Sequence, residues 1–197
     1  MVDKMPFIEI VGSRVLLRDP LPEDVEARLR WSTVETDWQD WDSPWEGKSV
    51  TPPERMEAAR SSIREQIAQP LPRSRTQLWV QVIGGPLLGW VNHYHHDPEA
   101  RLTYAGVNIC ESACWGQGLG SEAFRLWIGC LFTHYDLVAV RTATWSGNAR
   151  MLRVAEKCGF VLVERNVGSR EVRGETYDGL SFELTRASWD EAKGGTT

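Results

Sequence analysis

The sequence has no Cys-x-x-Cys pair, no apolar run of membrane-spanning length, no internal repeat, no low-complexity linker and no surplus of basic residues. Each absence removes a class of protein. A bilayer span needs about 18 or more consecutive apolar residues, so no membrane association is expected. Residues 1–12 lack the charged, apolar, small-residue order of a secretory signal. With 22 Lys and Arg against 27 Asp and Glu, the formal net charge is −5 and the sequence pI is about 5.5. A phosphate-backbone binder needs a basic face, so nucleic acid is not the expected partner. Cys110, Cys114, Cys130 and Cys158 form no metal or redox pair, and a domain of this size needs no disulfide staple, so free thiols and a cytoplasmic location are expected.

What is present is a chain of 197 residues, 42% hydrophobic and 25% charged, enough for one sizeable domain and short for two. The expected domain covers residues 13–191, with residues 1–12 as an N-terminal extension and 192–197 as a frayed tail. Periodicity predicts strands near 15–18, 78–83, 87–95, 103–110, 137–145, 160–165 and 177–184, with a polar segment at 168–174. Helices are predicted from Leu21, over 52–69, over 119–132 and over 149–157. Alternating helices and strands argue an α/β fold, a layered core around one mixed β-sheet flanked by helices.

One stretch stands out, Trp115-Gly116-Gln117-Gly118-Leu119-Gly120-Ser121, which joins a predicted strand to a predicted helix. Glycines let backbone approach a ligand closely, and a helix start carries unpaired N–H donors and partial positive charge suited to a pyrophosphate. It is not a nucleotide P-loop, because Gly-Lys-Ser/Thr is missing, and its glycine spacing is wrong for a dinucleotide fingerprint. Spacing alone does not separate a phosphate cradle from a tight turn.

A second motif follows: Asn148, then Glu156-Lys157-Cys158-Gly159-Phe160. The two together, in this order and spacing, resemble the GNAT acetyltransferase superfamily, whose loop reads Gln/Arg-x-x-Gly-x-Gly/Ala. The loop's opening Trp115 in place of Gln or Arg, the start LLRDPLPEDVEARLRWS, and Glu175-Thr176-Tyr177-Asp178 before Trp189 resemble its RimJ/RimL branch. The resemblance implies a GNAT-like fold whose sheet is splayed at the coenzyme A site, with acetyl-CoA as co-substrate and no metal. It implies that backbone groups of Val107, Asn108 and Ile109 pair with the pantetheine arm, the Ile109 N–H pointing at the thioester carbonyl. Gln117, Gly118, Leu119, Gly120 and Ser121 would hold the pyrophosphate, and the Asn148 side chain the pantetheine, although Asn148 can also cap its helix. Homodimers are common among its members, which leaves a homodimer open here.

Acetyl transfer to an amine needs an unprotonated amine, placement, an oxyanion donor and a proton for the thiolate. The positions where family members carry a base or acid hold Ala143, Tyr104, Ala155 and Met151 here. Glu171 and His95 are the remaining candidate bases, beside Asn148 in the catalytic set. Glu171 reads more readily as a solvated hairpin charge. In the His93-x-His95-His96 cluster, alternate residues of a strand share a face, but the His-x-His pair lacks a clear third metal ligand. Four of the ten tryptophans fall within residues 31–45. Trp38, Trp41, Asp42 and Trp45 present ring faces and carboxylates, a combination that attracts a cation, though the rings could simply pack helices on the sheet. The expected activity is N-acetylation of a primary amine, on a peptide or protein N-terminus or a small molecule. The alternatives are a catalytically degenerate acetyl-CoA-binding module, or a related enzyme using another acyl-CoA.

Overall fold

Val15 and Leu17 are fully buried while Leu16 between them is half-exposed, the period-two burial of a strand with one face on a core. The computed structural model, which describes residues 6–194, extends this pattern into one eight-stranded sheet. Its strands are β1 (Glu9–Val11), β2 (Val15–Arg18), β3 (Gln77–Val82), β4 (Leu87–Asp97), β5 (Leu102–Ile109), β6 (Ala139–Trp145), β7 (Val161–Val172) and β8 (Glu175–Thr185). They lie in the order β1-β2-β3-β4-β5-β6-β8-β7. Every neighbouring pair is antiparallel except β5 and β6, which are parallel.

The helices are α1 (Val25–Arg30), α2 (Met56–Ala68), α3 (Leu119–His134), α4 (Ala149–Lys157) and α5 (Arg186–Gly194). Each sheet face carries its own core. On one, Phe124, Trp127, Ile128 and Leu131 of α3, Ala155 of α4 and Trp189 of α5 pack with Leu17, Val80 and Val140. On the other, Trp31 buries against Trp79, Leu87 and Cys110, with Trp38 and Trp90 beside them. This mixed, helix-flanked sheet is the expected fold class. Among the described residues no helix is long and apolar enough to cross a membrane.

Three elements differ from the sequence expectation. The stretch 168–174 is no loop: β7 continues through Val172, and Arg173 and Gly174, with φ of 55° and 82°, make a two-residue hairpin turn into β8. Only Val172 of β7 is buried, so this edge strand has no apolar alternation to read. At the N-terminus, Glu9–Val11 pairs with β2, so the sheet begins inside the expected extension, of which residues 1–5 lie outside the described part. Within the expected tail, 192–194 continue α5, and 195–197 lie outside the described residues.

Two buried ion pairs fix the chain around β2. Arg18 donates to both carboxylate oxygens of Asp24 at 2.7 Å, and Asp24 also accepts the Leu21 N–H. Arg75 donates to both oxygens of Asp19 at 3.0 and 3.1 Å, and Asp19 also takes the Ile8 N–H at 2.8 Å. Removing one member of such a pair strands a buried charge, at about 3–5 kcal/mol. Asp19→Ala is therefore expected to lower unfolding free energy by about 3 kcal/mol or more, read from the urea midpoint; a loss below about 1 kcal/mol, the size of a surface pair, would refute this.

Candidate active site

The parallel ladder between β5 and β6 is short. Leu102, Thr103 and Tyr104 pair with Ala139, Val140 and Arg141, and pairing stops there, so the rest of the two strands part. On its other edge β5 stays paired with β4 as far as Ile109. Which backbone groups face the gap follows from register. The Cys110 N–H donates to Leu88 O at 2.7 Å, and in an antiparallel pair alternate residues point their backbone groups the same way. Asn108 and Gly106 therefore turn toward β4, while Val107 and Ile109 turn into the gap. The Ile109 carbonyl does point outward, since it accepts Trp115 Nε1–H at 2.7 Å. The sequence expectation is thus corrected at one residue: the Asn108 backbone is committed to β4, and what it offers is its side chain.

At the end of the gap lies the glycine loop. Gly118 takes φ +82° as the N-cap of α3, a left-handed conformation that costs a residue with a Cβ about 1–2 kcal/mol. Gly120 sits where a Cβ would fall 3.2 Å from Ile109 Cγ1, so its bareness lets the helix start rest against β5. Glu122 N–H bonds to Gly118 O, which leaves the N–H groups of Leu119, Gly120 and Ser121 as the unpaired donors of the first turn. Gln117 turns its side-chain amide back to Ala113 O; only its backbone remains for a ligand.

Glu122 and Arg14 brace the loop from below. The Glu122 carboxylate accepts the N–H groups of Ser13, Arg14 and Val15 and the side chains of Ser13 and Arg14. Arg14 also donates to Gln117 O at 2.9 Å. Burial works to raise the Glu122 pKa, but the hydrogen bonds from Arg14, Val15 and Ser13 outweigh it and hold the value at about 2. An acid in the first helical turn was visible in the sequence; its partner Arg14, over 100 residues away, was not.

Asn148 does cap α4: its Oδ1 accepts Met151 N–H at 3.0 Å. Its Nδ2 donates to the Trp41 carbonyl at 2.7 Å, and Trp145 Nε1 donates to the same oxygen at 3.1 Å. The tryptophan segment is thereby tied to the parted strands. Its rings divide in role. Trp38 packs edge-on to Trp90 and donates to Trp31 O, so it is part of the core. Trp41 lies against Arg150, and Trp45, partly exposed, lies against Arg170.

Asp42 remains solvent-exposed as a residue, yet its carboxyl is closely surrounded. Desolvation raises its pKa, the Glu46 charge adds to the rise, and a hydrogen bond from the Asn108 side chain opposes it. Tyr94 is also pushed up, by burial and by the Asp42 charge. Asp42 thus faces β4 and β5 on the side of the sheet opposite α3, beside the gap.

The other candidate bases lie elsewhere. His95 follows Tyr94, which pairs with Tyr104; at about 3.3 Å per residue this is roughly 17 Å along β5 from Ile109. It lines a cavity of about 700 Å³ with His96, Glu99 and Tyr104. Glu171 pairs with Thr176, three residues past Gly179, the last partner of β6, so it sits about 10 Å beyond the end of β6. It lines a separate cavity of about 500 Å³ with Trp45, Arg170 and Arg173. His93 is buried, with Nδ1 3.2 Å from Thr103 Oγ1. Among the described residues no group of three or more His, Cys, Asp or Glu could hold a metal ion.

An acyltransferase using acetyl-CoA as its donor fits a sheet that opens beside an anion-binding helix start. The sequence model of the acetyltransferase (GNAT) domain matches residues 14–161, well over half of the chain, and the chain belongs to that family. No curated protein matches by sequence. Solved structures share the fold at low identity. A GNAT-family acetyltransferase from Bacillus anthracis is 18% identical, covering 90% of this chain and 98% of that one, TM-score 0.69. RimL, a ribosomal L7/L12 alpha-N-protein acetyltransferase in complex with coenzyme A, is 17% identical over 93% and 99%, TM-score 0.70. A spermidine N-acetyltransferase from Vibrio cholerae, in complex with CoA and spermine, is 15% identical over 90% and 99%, TM-score 0.66.

The Glu122 brace has a pH signature. Its folded pKa lies below the unfolded value near 4.3, so its stabilisation is complete above the unfolded pKa and is lost as pH falls toward about 2. Between pH 5 and 2, Glu122→Gln is expected to lose less stability than wild type in thermal melts; parallel losses would show that Glu122 contributes nothing through its charge.

Proposed function

We propose that the protein is an N-acetyltransferase of the RimJ/RimL type, moving acetyl from acetyl-CoA to a primary amine on a peptide N-terminus or a small molecule. The observation that carries this is the parting of β5 and β6, which leaves Val107 and Ile109 backbone groups facing an open edge at the foot of the glycine loop. An amide-bearing pantetheine arm can complete that edge as a strand would, while the first-turn donors of α3 take the pyrophosphate. Asn148, tied to Trp41, stands at the opposite wall.

In this reading the amine nitrogen attacks the thioester carbonyl carbon, the C–S bond breaks, and the thiolate leaves, taking the second proton lost by the nitrogen through water. The Ile109 N–H stabilises the developing oxyanion. Asp42 holds the acceptor ammonium beside Trp41 and Trp45 and takes its proton, a role suited to a carboxylate whose pKa is raised by desolvation. His95 and Glu171 take no part, being displaced along and beyond the strands. A cytoplasmic location goes with this reading, the four cysteines being free thiols.

Ala143, Met151 and Ala155, where relatives carry a base or acid, favour a second reading, an acetyl-CoA-binding module without turnover. Thiol release from acetyl-CoA over a panel of amines and peptides separates the two. Turnover is expected with at least one amine class, and Asp42→Asn is expected to lower kcat/KM by about 100-fold with acetyl-CoA affinity unchanged. Cofactor binding with no thiol release on any acceptor would favour the module. A fully active Asp42→Asn enzyme would remove Asp42 from the mechanism.

A further inference from the structure

We propose that Arg150 is a phosphate ligand of the cofactor, a guanidinium clamped between Trp41 and Trp115 so that its N–H edge meets the pyrophosphate at the rim of the glycine loop. The inference rests on the acetyl-CoA reading and adds a residue to it.

The geometry is specific. The Arg150 guanidinium carbon lies 3.9 Å from the Trp115 ring centroid and 4.6 Å from that of Trp41. Trp115 immediately precedes the 116–120 loop, and its ring is fixed by the bond from Nε1 to Ile109 O. Trp41 is fixed through its carbonyl, which takes both Trp145 and Asn148. Lying over both rings, the guanidinium keeps its in-plane N–H donors available to a ligand. Among the described residues no carboxylate pairs with Arg150 and no acceptor takes its N–H groups. The nearest charge of note is Arg153, of the same sign. Arg14 is committed to Glu122 and Gln117, and Arg173 to Asp40.

A guanidinium stacked on aromatic rings and left unneutralised is suited to phosphate, since the planar fork loses less freedom per hydrogen bond formed. Position supports the same ligand. Where the family's loop motif opens with Gln or Arg, this chain has Trp115, and Arg150 stacked on that ring returns a guanidinium to the mouth of the loop. The cation reaches the cradle from α4 instead of from the loop itself.

The test compares two donors on the intact protein, acetyl-CoA and S-acetylpantetheine, which lacks the phosphates. Affinities for both are measured by calorimetry or ligand-observed NMR for wild type, Arg150→Gln and Arg150→Lys. Arg150→Gln is expected to weaken acetyl-CoA by about 10-fold or more and leave S-acetylpantetheine unchanged, and its acetyl-CoA affinity should depend less steeply on salt. Arg150→Lys, which keeps the charge but not the planar fork, should fall between the two. Wild-type affinity for acetyl-CoA in Arg150→Gln would overturn the proposal. Equal losses for both donors would also overturn it, by showing that Arg150 only holds the tryptophans in place. A wild-type protein that binds no acetyl-CoA would instead sink the donor site as a whole.

Discussion

Beyond Tyr104, β5 has no partner on its β6 side, and the candidate site exists because of that break. Unpaired backbone N–H and C=O groups inside a protein are costly, and a strand edge inside a sheet invites pairing. The fold contains the exposure without closing it. On the far side β5 keeps its ladder to β4 from Tyr104 to Ile109, so the strand is held there with one edge free. Trp115 takes one gap-facing carbonyl, that of Ile109, and the Trp41 carbonyl crosses to Trp145 and Asn148 on the β6 side. What stays open is a short run of backbone between these two stoppers, the size of an extended arm and not of another strand.

The same break sets where charge goes. In the proposed reading the ligand's phosphates meet the α3 N-terminus, which sits against Ile109 because Gly120 has no side chain. Glu122, an acid in that first turn, would repel such a ligand if left free. Instead it is surrounded by donors from residues 13–15, and its charge is spent on anchoring the β1–β2 turn. Arg14, recruited by Glu122 through Nε, turns Nη1 to the Gln117 carbonyl and so steadies the loop. The acid in the first turn of α3 is what orders the loop.

How much of this could be read from the sequence depended on whether the signal was local. The glycine loop, the Asn148 cap and most strands were legible, since turn chemistry and periodicity act within a few residues. The long β7 was not, because an edge strand with nearly every residue exposed needs no apolar pattern. The division among the tryptophans was likewise hidden. Trp38, Trp41 and Trp45 look alike in sequence, and only the approach of Trp90, Arg150 and Arg170 makes the first a core residue and the others walls of an opening. Asp42 stands out in sequence for the company of aromatic rings, but the burial that raises its pKa, and Asn108, 66 residues on, beside its carboxyl, come only from the fold. His95 and Glu171 were chosen for their chemistry, and strand register alone moves both away from Ile109.

The two halves of the proposed reaction cannot be arranged independently, and the reason is a single oxygen. The Trp41 carbonyl holds Asn148 and Trp145, both on the donor side of the site. In the proposed reaction the next residue, Asp42, serves the acceptor side. Any movement of residues 37–46 that admits an acceptor pulls on Asn148, and any ligand that engages the Asn148 amide competes with the bond that holds Trp41. Arg150, packed on the Trp41 ring two residues after Asn148, adds a second tie between the same elements. Donor and acceptor sites that share their supports in this way place the amine and the thioester relative to each other, and placement is the largest contribution an enzyme without a dedicated acid can make to this reaction.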